Sequence, residues 1–288
     1  MAARTKATAS EPEATASTAG VLRPDEFGRA IDLKRFPAAA EVARWVENHW
    51  ALRWDLPEGE SFATQVLPHP TCSLTVELGS HRRAGRIPGD AVTVTGVVTT
   101  RFDVETRGSG RVVGVKFRPG GLAALTGLPA SVWTDRVVPA VDVLDGELSA
   151  ALADPDLVAD PTAWVRRAEA GLAALPRSAD RRYDQLIAIV ADMLDDGSLL
   201  TVAEVAARHG VTTRTLQRLF HDYVGVGPKW VLDRYRMHDL VTELDEGYDG
   251  TMTDLAHRYG WYDQSHFTRD FTALIGVPPL KYRDRPDT

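Results

Sequence analysis

The chain has 288 residues, of which 44% are hydrophobic and 25% charged, an ordinary globular balance with enough length for two domains. Lysine and arginine total 33 against 40 acidic residues, giving a net charge of −7 and excluding a polycation that coats nucleic acid or membrane along its whole length. No apolar run approaches the ~18 residues of a membrane span, and the N-terminus lacks the apolar segment of a secretory signal. The single cysteine, Cys72, cannot form an intramolecular disulfide and suits a reducing, cytoplasmic setting.

Residues 1–20 are Ala, Thr, Ser and Glu without bulky side chains, which predicts a disordered tail. Residues 21–174 are predicted to form a mixed β/α domain. From about 44 to 118 the period is two: Val46, Trp50, Leu52, Trp54 and Leu56 mostly alternate with polar residues. Further β-rich runs lie at Thr64–Leu67, Ser73–Leu78, Ala91–Val98, Arg101–Glu105 and Arg111–Phe117. Turns such as Leu67-Pro68-His69-Pro70 and Ile87-Pro88-Gly89-Asp90 separate several of them, and Gly108-Ser109-Gly110 suits a hairpin turn. Many short strands at this spacing predict an antiparallel barrel or sandwich, followed by short helices near 121–126, 147–153 and 161–174.

The histidines His49, His69 and His81 lack metal-ligand spacing, so no metal is expected. Cys72 has no CxxC or activating neighbour and reads as a buried strand residue. Trp45, Trp50 and Trp54 fit core filling, with the lining of a ligand pocket as the alternative. The pairs Arg82-Arg83 and Arg181-Arg182 read as solvated. No Ser/His/Asp, paired-carboxylate or cofactor signature supports catalysis, so the chain is not expected to be an enzyme and no cofactor is expected.

Residues 175–181 read as a linker, and residues 182–288 as an all-α domain. Leu186, Ile189, Val190, Met193 and Leu194 form one helical stripe that Gly197-Ser198 stops. A self-similarity of about 50 residues follows. Thr201 to Gly210 and Thr251 to Gly260 each open on a capping Thr with an acid three residues later, Glu204 or the shorter Asp254. Each carries Ala at the same point (Ala206, Ala256) and ends on a Gly suited to a left-handed cap. A second helix follows in both copies. Leu216 and Phe220, and likewise Phe267 and Phe271, share an inward face, while Arg214, Gln217, Arg218, Ser265, His266 and Arg269 point outward. Two helix-turn-helix motifs are therefore predicted, at about 201–222 and 251–273. Arg, Gln and Ser on a second helix suit base edges in the major groove. Pro228 opens a helix reaching about Leu244 that would join the motifs rigidly and let them reach adjacent groove turns roughly 34 Å apart. Phe220, Trp230, Phe271 and Tyr282 read as core.

Residues 182–285 resemble the two-motif DNA-binding domain of AraC/XylS-type transcriptional regulators. The resemblance is carried by Gly260-Trp261, Gln264-Ser265-His266-Phe267-Thr268-Arg269-Asp270-Phe271, Gly276-Val277-Pro278-Pro279 and Tyr282-Arg283. It implies that Arg214, Gln217 and Arg218 read bases from the first motif and Ser265, His266 and Arg269 from the second, with Thr213 and Gln264 beside them. Thr201, Lys229, Arg234 and Arg236 would hold phosphates. The N-terminal part looks like a sensor-like domain that accompanies this unit in a subset of the family. Its matching residues are Val115-Lys116-Phe117-Arg118-Pro119-Gly120-Gly121, Leu128-Pro129-Ala130 and Asp135-Arg136-Val137-Val138-Pro139. The partner implied is double-stranded promoter DNA; a small-molecule effector of unknown identity, RNA polymerase and a second copy of the chain are further candidates, and a membrane is not. The chain departs from the family pattern at Asp270 and Thr272, where basic residues are usual. Residues 198–285 hold 11 basic and 12 acidic side chains, so DNA affinity should depend on local clusters. An enzyme, or a protein-binding module, built on the β domain is the alternative.

Overall fold

The computed structural model describes residues 24–83, 92–176 and 179–285. The expected tail, the turn at Ile87–Asp90 and part of the expected linker, Arg177-Ser178, lie outside the described residues. The first half holds α1 (Pro24–Ala30), β1 (Asp32–Pro37), β2 (Val46–Asp55), β3 (Ser61–Val66), β4 (Ser73–Arg83), β5 (Val92–Thr95), β6 (Phe102–Phe117), α2 (Gly121–Thr126), β7 (Val137–Pro139), α3 (Gly146–Leu152), α4 (Pro155–Ala159) and α5 (Pro161–Ala174). Two 3-10 turns, Ala130–Val132 and Ala140–Asp142, flank β7. The second half is helical: α6 (Arg181–Asp195), α7 (Val202–Arg208), α8 (Thr213–Tyr223), α9 (Pro228–Asp245), α10 (Met252–Arg258), α11 (Gln264–Ile275) and α12 (Pro279–Arg283).

The strands form one seven-stranded antiparallel sheet in the order β1-β2-β6-β4-β5-β7, with β3 also on β6. Three strands differ from the sequence expectation, the short β7 being one that no β-rich run announced. β1 was hidden because its apolar residues, Leu33 and Phe36, are three apart among charges and a proline. β6 is a single strand of 16 residues, and Gly108-Ser109-Gly110 lies inside it rather than at a hairpin turn. The glycines make room instead of turning the chain. A Cβ on Gly110 would stand 2.1 Å from the Trp54 ring, and one on Gly114 would stand 2.7 Å from the Trp50 ring. Both indoles therefore press on the β6 backbone where only glycine leaves room.

One sheet face packs on α1 through Phe27, Ile31, Leu33, Trp54 and Val112. The other carries Ala51, Leu74, Val76, Val113 and Val115 onto Trp164, Val165, Ala168 and Leu172 of α5. That second core continues without a break into the helical half. Tyr183, Leu186 and Ile189 of α6, Val205 of α7, Leu216 and Phe220 of α8 and Val231 and Tyr235 of α9 all belong to it. Polar contacts pin the same seam: the Tyr183 hydroxyl donates to the Arg44 carbonyl at 3.0 Å, and Thr134 donates to the Gly225 carbonyl at 2.7 Å. The first helix-turn-helix is thus built onto the sheet.

A smaller core serves the second motif. Met237, Leu240, Val241 and Leu244, on the later turns of α9, pack on Leu255, Trp261, Phe267, Phe271 and Tyr282. Phe271 meets Phe267 and Tyr282 edge to face, with centroids 5.7 and 5.6 Å apart. From the sheet half, Leu67 joins this cluster. α9 therefore has its early turns in one core and its late turns in the other. No helix of the described residues is long and apolar enough to cross a membrane.

The polar residues of the sheet half resolve into separate contacts. His49 is buried against Glu169 at 3.1 Å, His81 meets Glu77 at 2.7 Å, and His69 stacks on His238. No group of three or more metal-holding side chains occurs among the described residues. Arg82 is exposed as expected, but Arg83 is 5% exposed and ion-paired to Glu77 at 2.5 Å, a correction to its reading as solvated. Arg182 bonds Asp222 at 2.8 Å, tying α6 to α8. Cys72 is buried just before β4, and burial pushes its thiol up to about 12. Trp45 is core, while Trp54 borders a cleft of roughly 480 Å³ beside α1 that Phe27, Ile31 and Arg53 also line.

Candidate nucleic-acid interface

Each motif is set by its caps. Thr201 Oγ1 accepts from the Glu204 amide at 3.2 Å, and the Glu204 carboxylate accepts from the Thr201 amide at 2.8 Å, closing a reciprocal capping box. In the second copy Thr251 Oγ1 accepts from the Asp254 amide at 3.1 Å. The shorter Asp254 side chain takes the Thr251 hydroxyl at 2.7 Å instead of the backbone. After each first helix the chain turns at Gly210 (φ 61°) or Gly260 (φ 78°), the left-handed conformation that glycine adopts at least cost. The second helices open on Thr212, which accepts from the Thr215 amide, and Asp263, which accepts from the His266 amide at 2.7 Å.

Helix packing then decides which side chains face out. On α8, Leu216, Leu219 and Phe220 are buried, leaving Thr213, Arg214, Gln217 and Arg218 exposed together on the opposite face. On α11, Phe267, Phe271 and Leu274 are buried, leaving Gln264, Ser265, His266 and Arg269 exposed. Gln264 accepts from the Thr253 hydroxyl at 2.8 Å, joining α11 to α10. His266 lies 3.3 Å from Asp270, which the Trp261 indole N–H also holds at 3.0 Å. Tyr262, 88% exposed in the turn before α11, is an outward aromatic that sequence reasoning passed over because it lies in the turn between the two helices of the second motif.

Charge pairing sorts the cations sharply. In the helical half, Arg182, Arg208, Lys229, Arg236, Arg258, Arg283 and Arg285 all have carboxylate partners. Arg214 and Arg218 on α8 and Arg269 on α11 have none among the described residues. The near balance of acids and bases in this half is therefore spent on internal pairs, and the outward helices keep unneutralised arginines.

The expected phosphate residues divide. Thr201 is exposed at the start of α7, and Lys229 is exposed, paired to Asp233 at 2.9 Å. Arg234 and Arg236 are turned inward and do not lie on this surface. Arg236 bonds Asp233 and the Tyr259 carbonyl (3.1 Å) under the Trp261 ring, bridging α9 to the second motif. Arg234 is buried against the sheet half with its guanidinium carbon 4.5 Å from the Trp230 ring centre. Trp230 itself is half-buried. The missed signal is the spacing of Trp230, Arg234 and His238, which share one face at i, i+4 and i+8.

A pair of helix-turn-helix units on one connecting helix, attached to an antiparallel sheet domain, defines a class of two-motif helix-turn-helix proteins. Residues 205–285 match the family model described as a helix-turn-helix domain, and residues 34–139 match one described as a domain of unknown function (DUF6597). The multiple antibiotic resistance protein MarA of Escherichia coli K12 is 32% identical over 107 residues, covering 36% of this chain and 84% of MarA. A putative AraC-like transcription regulator of Streptomyces lividans is 35% identical over 86 residues, 30% of this chain. The chain spans 28% of that relative's length. Among solved structures, the C-terminal domain of AraT from Geobacillus stearothermophilus aligns at TM-score 0.31 and 24% identity, covering 38% of this chain and 87% of that one. ToxT from Vibrio cholerae aligns at TM-score 0.38 and 10% identity over 82% and 97%. The chain belongs to the AraC/XylS-type family of transcriptional regulators.

Proposed function

We propose that this protein is a sequence-specific DNA-binding transcriptional regulator that reads promoter DNA with α8 and α11 in adjacent major grooves. Arg214, Gln217 and Arg218 read bases from α8, and Ser265, His266 and Arg269 from α11, with Thr213 and Gln264 at the helix starts. Thr201 and Lys229 hold phosphates. The observation that carries this reading is the segregation of unpaired arginines onto the two outward helices while most other cations of the helical half are neutralised. A guanidinium without a protein carboxylate keeps its donor fork for guanine N7 and O6 or for phosphate. The extra acidity of the chain sets a limit: nonspecific affinity should be modest and strongly salt-dependent.

In this reading residues 21–174 form the sensing unit and 182–288 the reading unit, and the chain acts in the cytoplasm without catalysis. The sheet half modulates DNA binding by taking a small-molecule effector or by pairing with a second copy. A signal passes only if the effector binds one arrangement of the two halves better than another. A gel shift on the promoter regions of its own and neighbouring genes tests the reading. A preferred fragment should be retained against excess unrelated DNA, with affinity falling steeply between low and physiological salt. Folded protein that shifts no fragment preferentially at low salt would remove it.

A further inference from the structure

The two copies of the helix-turn-helix differ by one residue in the turn. Both close the same way after the glycine. The Val211 amide donates to the Ala206 carbonyl at 3.0 Å, and the Trp261 amide to the Ala256 carbonyl at 2.9 Å. In the first copy the next residue is Thr212, the cap of α8. In the second, Tyr262 intervenes before Asp263, the cap of α11. An apolar residue before a helix cap often packs on the first turns of the helix and fixes how the chain enters it. Val211 fills that role in the first copy, packed on the core that holds Leu216. In the second copy Trp261 fills it, its ring 5.4 Å from that of Phe267. The added Tyr262 is left without this task.

Trp261 is 6% exposed, and Tyr262 beside it is 88% exposed. The next most exposed large apolar side chain among the described residues, Val141, is 59% exposed. Tyr262 has no hydrogen-bond or ring partner among the described residues. A single exposed apolar residue is ordinary on a protein surface. The place of this one is not: it stands just before Gln264 and Ser265, the first outward residues of α11. The start of a recognition helix is the part that reaches base edges. The outward face of α11 also presents one arginine, Arg269, where that of α8 presents Arg214 and Arg218. Asp263 caps α11, and Asp270 lies 3.3 Å from His266. Attraction to phosphate is therefore weaker on this side, and burial of a neutral ring there adds affinity that salt does not screen.

We infer that Tyr262 is a DNA contact of the second motif, its ring buried on an apolar patch of the duplex where α11 enters the groove. Two apolar groups offer such a patch, the thymine 5-methyl and the face of a deoxyribose. The first makes Tyr262 a specificity residue at one base pair; the second makes it an anchor that sets register. The inference rests on the DNA-binding reading and adds to it a residue outside the two outward helix faces. It also divides the labour between the copies: α8 holds DNA mainly by charge, and the second motif in part by a buried ring.

Binding titrations of the full chain on a preferred promoter fragment, at several salt concentrations, test it. Tyr262→Ala should weaken binding roughly tenfold at an unchanged slope of log affinity against log salt. Arg269→Ala should instead reduce that slope by about one. Tyr262→Phe should bind as the wild type does, since the ring rather than the hydroxyl makes the contact. Tyr262 is exposed and unpartnered, so both of its variants should melt with the wild type. Replacing thymines under α11 by uracil, one at a time, identifies the patch. A penalty seen with the wild type and absent with Tyr262→Ala marks a thymine methyl; no such thymine marks the deoxyribose. Tyr262→Ala binding as tightly as the wild type, or losing salt slope as Arg269→Ala does, overturns the inference alone. So does Tyr262→Phe binding as weakly as Tyr262→Ala. A wild type that prefers no fragment removes the DNA-binding reading and this inference with it.

Discussion

The two helix-turn-helix motifs share a plan but not a foundation. The first lies in the same hydrophobic core as the sheet, so α8 is fixed by Leu216 and Phe220 against residues that also hold β4 and β6. The second has a compact aromatic core of its own, hung on the late turns of α9, with Leu67 as its link from the sheet half. Their outward faces differ as well. Arg214 and Arg218 are unpaired, whereas α11 has Arg269 and a histidine held by Asp270. A repeat in sequence has become one motif continuous with the core of the sheet half and one with a separate core. The first should respond to whatever the sheet half binds, and the second should add register on DNA.

The largest expected effect tests the separateness of the cores. Phe220→Ala and Phe271→Ala each remove a fully buried ring and should cost about 3–5 kcal/mol. Hydrogen exchange read by mass spectrometry should show Phe220→Ala loosening α8 and the sheet together. Phe271→Ala should loosen α10–α12 and leave β4 and β6 protected. Equal loosening of the sheet by both variants would merge the two regions into one unit.

Acid should reach the sheet half through Glu77. Burial pushes its carboxyl up, but hydrogen bonds from His81 and Arg83 and the charge on Arg83 outweigh that and hold it at about 2, against an ordinary 4.5. A depressed carboxyl contributes stability above its unfolded value, and that contribution fades as pH falls from about 4.5 toward about 2. Glu77→Gln should flatten this part of the stability curve in urea titrations. It should also lower stability at neutral pH by removing the carboxylate that pairs with Arg83.

On DNA, Arg218→Ala should cost about 1–3 kcal/mol and relax preference at one base position, with Arg269→Ala costing less. Binding titrations on a preferred fragment and its single-base variants separate the two; a larger loss from Arg269→Ala would invert the proposed order. The smallest contrast lies at the caps. Thr201→Ala breaks a reciprocal box and should lower stability by about 1 kcal/mol. Thr251→Ala, with only one backbone amide capped, should cost less, a difference thermal melts can resolve.

Much of the helical half was legible because it obeys local rules. Capping Thr residues, left-handed glycines and apolar spacing are properties of neighbouring residues, and they landed where the pattern placed them, except that Leu194, expected on the apolar stripe of α6, is 54% exposed. The sheet was legible as a class but not in detail. β6 runs through three small residues because Trp54 presses on Gly110, a contact made across strands and invisible along the chain. Two of the four expected phosphate residues, Arg234 and Arg236, turn inward for a related reason. Arg234 and Arg236 are arginines on a helix with polar spacing, yet α9 is buried on two sides, and only the tertiary partners Thr99, Trp230, Tyr259 and Trp261 reveal it. Burial of α6 and the first motif against the sheet half was equally hidden, since Tyr183 and Arg44, like Gly225 and Thr134, are far apart in sequence.

Hydroxyl-radical footprinting on a preferred promoter fragment, at protein concentrations that bind one copy, tests the central claim most directly. Two protected patches on one face of the duplex, roughly one helical turn apart, are predicted, with the patch under α11 fading selectively in Arg269→Ala. A single patch, or a second patch that arises only when another copy binds, would contradict it.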